Sequence, residues 1–290
     1  MNVSVEASFA VCNRVARQSG TNFYYSFLVL PRLKREAICA IYAFMRRSDD
    51  IADGAANPAV ATEKLREWRL TVDNALRGNA TTDPILPALA ETVRRFNIPS
   101  QLFHDLLDGS EMDQSITRYE TFDALYKYCY RVASVVGLII LPIFGYDDKA
   151  ALVPAEACGI AFQLTNILRD VKEDALMGRI YLPLEDLRKF GVEERDILDL
   201  RMSEPFRALM RFEADRVNNY YRQAEPLKGM IHRDSRRTLC VMIDVYHGIM
   251  TEIERRQFEV FNERIRLTTP EKLCIVARNL IRPSCEPCAC

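Results

Sequence analysis

Gln163-Leu164-Thr165-Asn166-Ile167-Leu168-Arg169-Asp170-Val171-Lys172-Glu173-Asp174 is the stretch on which the reading of this chain turns. On a helix turning about 100° per residue, Gln163, Asn166, Asp170 and Asp174 run down one side, while Leu164, Ile167 and Leu168 fall on the others. Far upstream the same design recurs. Tyr42, Arg46, Asp49 and Asp53 share one face, Ile41, Phe44 and Met45 lie off it, and Asp50 adjoins Asp49. One Asp-x-x-x-Asp on a helix is ordinarily a solvated acidic face with i,i+4 ion pairs. Two of them, on helices too apolar for the surface and with Asn and Gln where lysine partners would stand, predict polar walls facing a cavity. Carboxylates one turn apart repel, and an apolar interior does not tolerate them unpaired. A hard divalent cation resolves that conflict, because Mg²⁺ takes carboxylate oxygens and keeps positions for water or phosphate. Two opposed faces would hold a metal cluster that grips diphosphate as a leaving group.

Outward from these stretches, helical periodicity dominates the chain. Ala37 to Asp53 and Ala155 to Asp174 carry apolar residues at three- and four-residue intervals. Breakers at Pro31, Gly54 to Pro58, Pro84, Pro87, Pro99, Pro142, Pro154, Pro183, Pro205, Pro226 and Pro270 divide the chain into ten or so helices. No strand alternation, P-loop or G-x-G-x-x-G is present, and glycine is scarce at 11 of 290 residues, which disfavours turn-rich β architectures. The fold class predicted is all-α, one domain over residues 1–282, a helical bundle around a central cavity, with a cysteine-rich tail at 283–290. Thirty-nine basic against 40 acidic residues give a net charge of -1, so nucleic acid is not an expected partner. Met1 to Cys12 contains no basic n-region, and Val132 to Gly145, broken by Pro142, is too short to span a bilayer. The expected location is therefore the cytoplasm. Six of the nine cysteines (Cys12, Cys39, Cys129, Cys158, Cys240 and Cys274) stand in apolar helical contexts and read as reduced, buried thiols. Cys285, Cys288 and Cys290 close the chain; a zinc site there lacks a fourth ligand, and Pro287 excludes a C-a-a-X box.

Four ordered blocks make the chain resemble the squalene/phytoene synthase family over nearly its whole length. They are Ser19-Gly20-Thr21-Asn22-Phe23-Tyr24-Tyr25 ahead of Leu30-Pro31; Ala40-Ile41-Tyr42-Ala43-Phe44 leading into Arg46 and Asp49 to Asp53; Tyr128-Cys129-Tyr130-Arg131-Val132-Ala133 ending in Val136-Gly137; and Gln163 to Asp174 followed by Gly178-Arg179-Ile180-Tyr181-Leu182-Pro183. The resemblance implies a class I isoprenoid synthase fold and a prenyltransferase that joins two isoprenoid diphosphates head to head with two or three Mg²⁺ ions. It maps metal ligation onto Asp49, Asp53, Asp170, Asp174 and Asn166. Diphosphate contacts map onto Ser19, Arg46, Gln163, Asn166, Arg169, Tyr246 and Arg264, the last closing the site from the C-terminal region. Phe23, Tyr42, Tyr128 and Tyr181 would line the reaction centre, where a carbocation needs aromatic faces and little water. Asn22 stands where relatives often carry a second serine.

Within the family, the Met112-Asp113 pair and Tyr181 to Leu187 look most like bacterial hopanoid-pathway enzymes, which make presqualene diphosphate from two farnesyl diphosphates. The alternative is a carotenoid-type phytoene synthase using two geranylgeranyl diphosphates. NADPH is not indicated, although squalene synthases of this family bind it without a Rossmann motif. Water-insoluble products suit peripheral contact with the inner membrane face and hand-over to downstream pathway enzymes. Two other classes remain open, a phosphatase-like relative and a non-catalytic assembly protein; retention of all four metal-site aspartates weighs against the second.

Overall fold

The computed structural model describes residues 3–18 and 24–281. It is 76% helical, with no strand among the described residues. Helix α1 (Val5–Gln18) and the single turn α2 (Tyr24–Phe27) precede the long α3 (Arg32–Asp53). Then come α4 (Pro58–Leu76), α5 (Leu86–Phe96), α6 (Gln101–Ser115), α7 (Phe122–Cys129) and α8 (Val135–Phe144). The second half holds α9 (Leu152–Arg169), α10 (Val171–Leu176), α11 (Leu184–Phe190), α12 (Glu194–Leu198), α13 (Glu204–Ala224), α14 (Leu227–Met230), α15 (Arg233–Arg255) and α16 (Thr269–Ile281). Ten of these run to ten residues or more, as the breaker spacing predicts.

Most of the prolines act as starts. Pro58 and Pro205 sit in the first turns of α4 and α13, behind Asn57 and Ser203, whose side chains accept from the Val60 and Phe206 amides at 3.1 and 3.2 Å. Pro142 corrects the sequence reading: it lies inside α8 rather than breaking it. Its missing N–H removes one helical bond to the Leu138 carbonyl, and the helix ends two residues later, before Gly145, which takes a left-handed φ of 78°. Residues 130–134 are not a break either. They form a π turn that joins α7 to α8, so one helical rod runs Phe122–Phe144. That rod and Lys149–Arg169 are long and apolar enough to cross a bilayer by length and composition; here half and two thirds of their apolar windows are buried inside the bundle.

Helix α9 is the central member, with eleven buried residues, packed on α13, α15, α8 and the π turn. Gly159 permits the closest approach. A Cβ there would lie 2.4 Å from the Ser134 Cα and 2.6 Å from its amide nitrogen, so two backbones touch where any side chain would sit. Helix α8 packs on α3 as well as on α9 and fixes the spacing between the two acidic helices. Gly159→Ala should destabilise the protein by about 1–3 kcal/mol through overpacking, read as a lower midpoint in thermal or urea unfolding.

Candidate active site

Helices α3, α8, α9 and α15 surround a cavity of about 330 Å³. Its walls are chiefly apolar: Ile38, Ile41 and Met45 from α3, Val136 and Ile140 from α8, Leu239 and Met242 from α15. Phe27 and Phe144 lie at one end, where Lys34 Nζ donates to the Phe144 carbonyl at 2.8 Å and ties the start of α3 to the end of α8. Asp49 follows Lys34 by some four turns of helix, about 22 Å at the usual rise, so the acidic residues stand at the opposite end. Tyr42, Gln163, Asn166 and Tyr246 line the wall on the way to it. Phe162 and Tyr246 stack there at 4.4 Å, and Tyr246 hydrogen-bonds Asn166.

The acidic end is electrostatically frustrated. Asp49 and Asp53 are exposed, but enough protein surrounds Asp49 to cost its carboxylate hydration. Lost hydration, then the Asp53 charge, push Asp49 up to about 6. Asp174 is pushed up to about 7, by lost hydration first and Asp170 second. Asp170 is different. Burial works against its charge, but Arg169 (2.7 and 2.5 Å) and Arg264 (2.7 and 2.8 Å) each clasp both carboxylate oxygens and hold it below the usual range. The second acidic pair also straddles a junction: Asp170 ends α9 and caps α10, with φ -102° and ψ 16°. The Asp174 amide still bonds the Asp170 carbonyl at 2.9 Å, so the one-turn spacing expected of a continuous helix survives the bend.

A fifth carboxylate, named from the sequence only as half of the Met112-Asp113 pair and given no role there, joins the site. Asp113, at the end of α6, accepts from the Tyr181 hydroxyl at 2.9 Å and is hydrogen-bonded by Tyr128. Burial raises its pKa against those two donors, and its charge acts on Asp49 and Asp174 and feels Asp53. Both acidic helices therefore converge on it. Tyr128 and Tyr181, which the resemblance assigns to the reaction centre, stand with Asp113 at this charged end, stacked at 5.3 Å, and not among the residues that line the apolar cavity. Arg46 stands at the same end, its charge acting on Asp49. It shares the helix face of Asp49 but pairs with Asp50 at 2.6 Å, both half-exposed, because the i,i+4 partner is within easier reach. Ser19, Phe23 and the cysteines of the tail lie outside the described residues. Cys12, Cys39, Cys129, Cys158 and Cys240 are buried and unoxidised, whereas Cys274 is exposed on the outer side of α16, against expectation.

The donor set suits a hard divalent cation. Carboxylates that repel and retain protons near neutral pH, and the buried Asn166 Oδ1 with no hydrogen-bond partner, are oxygen ligands awaiting a charge. Among the described residues no three of His, Cys, Asp or Glu are grouped so as to hold a metal ion by themselves. Mg²⁺ commonly takes one or two carboxylates and completes its shell with water and phosphate.

The family model for squalene/phytoene synthase matches residues 16–271. The chain belongs to this family. It is therefore a prenyltransferase of the head-to-head condensing type. The 15-cis-phytoene synthase of Synechocystis sp. is 39% identical over 93% of this chain and 83% of its own. Among solved structures, a dehydrosqualene synthase bound to a ligand superposes with a TM-score of 0.87 at 31% identity, covering 95% of this chain and 96% of the other. Squalene synthase HpnC from Alicyclobacillus acidocaldarius gives 0.83 at 30% identity, covering 88% and 95%.

The raised carboxyls carry a pH dependence whose sign is set. In the unfolded chain both aspartates titrate near 4; folded, they hold protons up to about 6 and about 7. Their protons stabilise the metal-free fold below that window, and the contribution is lost as pH rises through it. Mg²⁺ binds the deprotonated forms. Thermal unfolding in chelator and in Mg²⁺ should show a larger Mg²⁺-induced rise at pH 8 than at pH 5.5, a difference that shrinks in Asp174→Asn.

Proposed function

We propose that this prenyltransferase condenses two geranylgeranyl diphosphates head to head to phytoene, with Mg²⁺ as cofactor. The observation that carries the reading is the 39% identity to a phytoene synthase across nearly the whole chain, against 31% and 30% to the dehydrosqualene and squalene synthases. Those two structural likenesses support the second reading, two farnesyl diphosphates joined to presqualene diphosphate. Comparison of relatives thus favours the geranylgeranyl alternative over the farnesyl reading suggested by the sequence blocks.

Asp49, Asp53, Asn166, Asp170 and Asp174 would hold the metal, which supplies charge to the departing diphosphate. Arg264 and Arg169, already gathered on Asp170, are placed to pass some of their hydrogen bonds to diphosphate oxygens. The C1–O bond of the donor breaks and leaves an allylic cation beside the charged mouth. The C2=C3 double bond of the acceptor attacks C1, and loss of one proton closes a cyclopropane that still carries the acceptor's diphosphate. Loss of that diphosphate, rearrangement and loss of a second proton give phytoene, with no reductant consumed. The apolar walls of α3, α8 and α15 hold the two chains and keep water from the cation. A cytoplasmic location with contact at the inner membrane face suits a hydrocarbon product that water does not dissolve.

Purified protein given equal geranylgeranyl and farnesyl diphosphate with Mg²⁺ and no NADPH should yield a C40 hydrocarbon by mass spectrometry. A C30 diphosphate as the main product would move the assignment to the farnesyl reading, and free prenyl alcohols alone would remove condensation. Asp49→Asn and Asp174→Asn, isosteric and with helical circular dichroism retained, should each lower kcat on the order of 10²-fold or more.

A further inference from the structure

Two hydroxyls on one turn of α15 tie that helix to the far end of the cavity. Ser235 and Thr238 stand three residues apart on one helix face, and both are 0% exposed. Serine and threonine in a helix commonly turn back to their own backbone, as Thr251 does to the His247 carbonyl at 3.0 Å. These two reach outward instead. Ser235 Oγ donates to the Phe144 carbonyl, at the end of α8, at 2.9 Å. Thr238 Oγ1 donates at 3.0 Å to the Ser26 carbonyl in α2, which belongs to the peptide leading into Phe27. Each hydroxyl therefore holds the main chain beside one of the two phenylalanines that line this end.

Lys34 adds a third tie. Its side chain is 14% exposed, and its ammonium has three N–H groups. All three are engaged, with the Phe144 carbonyl at 2.8 Å, Asp234 Oδ1 at 2.7 Å and Ser235 Oγ at 3.0 Å. Phe144 ends α8, so its carbonyl has no partner within the helix and takes one hydrogen bond from α3 and one from α15. The His232 amide donates to the next carbonyl, that of Gly145, at 2.8 Å. Three of the four helices around the cavity, together with α2, are thus joined by directed bonds at the end away from the aspartates. Contacts between apolar side chains have no preferred direction, and a wall made only of them can part for a longer guest. Displacing a buried carbonyl from its donor leaves an unsatisfied acceptor, so a floor pegged through its backbone keeps its depth.

We propose that Lys34, Ser235 and Thr238 are positioning residues that fix the depth of the cavity, and with it the longest prenyl chain admitted, by pegging the backbone beside Phe27 and Phe144. The inference rests on the prenyl-diphosphate reading, and its test measures binding apart from turnover so that the two can fail separately. The probes are unreactive prenyl thiodiphosphates with C15, C20 and C25 chains, titrated by calorimetry in Mg²⁺. Wild-type affinity should rise to the longest chain the floor admits and drop beyond it. Thr238→Val keeps the shape and removes the donor, whereas Thr238→Ser keeps the donor and removes a methyl. The Val variant should bind the first chain beyond the wild-type limit about tenfold tighter, with shorter chains held within about twofold. The Ser variant should keep the wild-type profile. A packing role alone predicts the reverse, because only serine leaves a void.

A wild type that binds all three probes with rising affinity has no floor to peg and overturns the proposal. So does an unchanged profile in Thr238→Val, or one in Thr238→Ser as broad as that of the Val variant. Inorganic pyrophosphate with Mg²⁺ should bind all variants alike; a loss there would mean damage reaching the mouth and would also count against the assignment. If Thr238→Val does not fold, Lys34→Met carries the test at a less buried position, where the same broadening is expected and a wild-type profile would sink the idea. Probes bound with the expected profile by a protein that condenses nothing would refute the proposed function and leave the floor assignment standing.

Discussion

Five carboxylates crowded at one end of an apolar cavity set the terms for the rest of the molecule. A pair of like charges about 6 Å apart costs roughly 3 kcal/mol at an effective dielectric near 20, and here Asp49, Asp53, Asp113, Asp170 and Asp174 act on one another. The fold meets that cost in three ways. Asp49 and Asp174 retain protons toward neutral pH, Asp170 is clasped by two arginines, and Asp113 is given two phenols. Each is a partial neutralisation that cations and diphosphate can take over. The ligand-free site is thus charged with unfavourable energy that binding releases.

Such a site needs a stiff frame, because repelling groups on mobile elements would move apart. The frame is α9, whose backbone meets the π turn at Gly159, and α8, which separates α3 from α9. The π turn spends one extra residue and shifts the helical phase between Tyr128 and Val136. Tyr128 is thereby aimed at Asp113 while Val132 and Val136 face the cavity, two duties that an unbroken helix would distribute differently.

Periodic features were legible in the sequence, and solitary ones were not. The acidic pairs on α3 and α9–α10 could be found because a one-turn repeat on an apolar helix is a pattern, and the all-α fold followed from the same periodicity. Asp113 has no partner at helical spacing; it is a lone carboxylate whose meaning comes from Tyr128 and Tyr181, 15 and 68 residues away in the chain. Arg46 adds a detail that a helix face alone does not give: its long side chain reaches the neighbouring Asp50. The bend at Asp170 and the π turn were invisible because neither needs glycine or proline.

The same division bears on substrate choice. Farnesyl and geranylgeranyl diphosphates share the diphosphate and the allylic head, so the acidic mouth meets identical chemistry in both. Discrimination has to come from the far end, where Phe27 and Phe144 stand and where the extra isoprene unit would lie. A hydrophobic pocket gains or loses about 1–3 kcal/mol per methylene, so a five-carbon difference is ample for selectivity if the floor is rigid. The motifs that reveal the chemistry are for that reason poor guides to chain length. Relatedness over the whole chain, which averages over the floor as well as the mouth, is the better one, and it is what supports the proposal of the longer substrate.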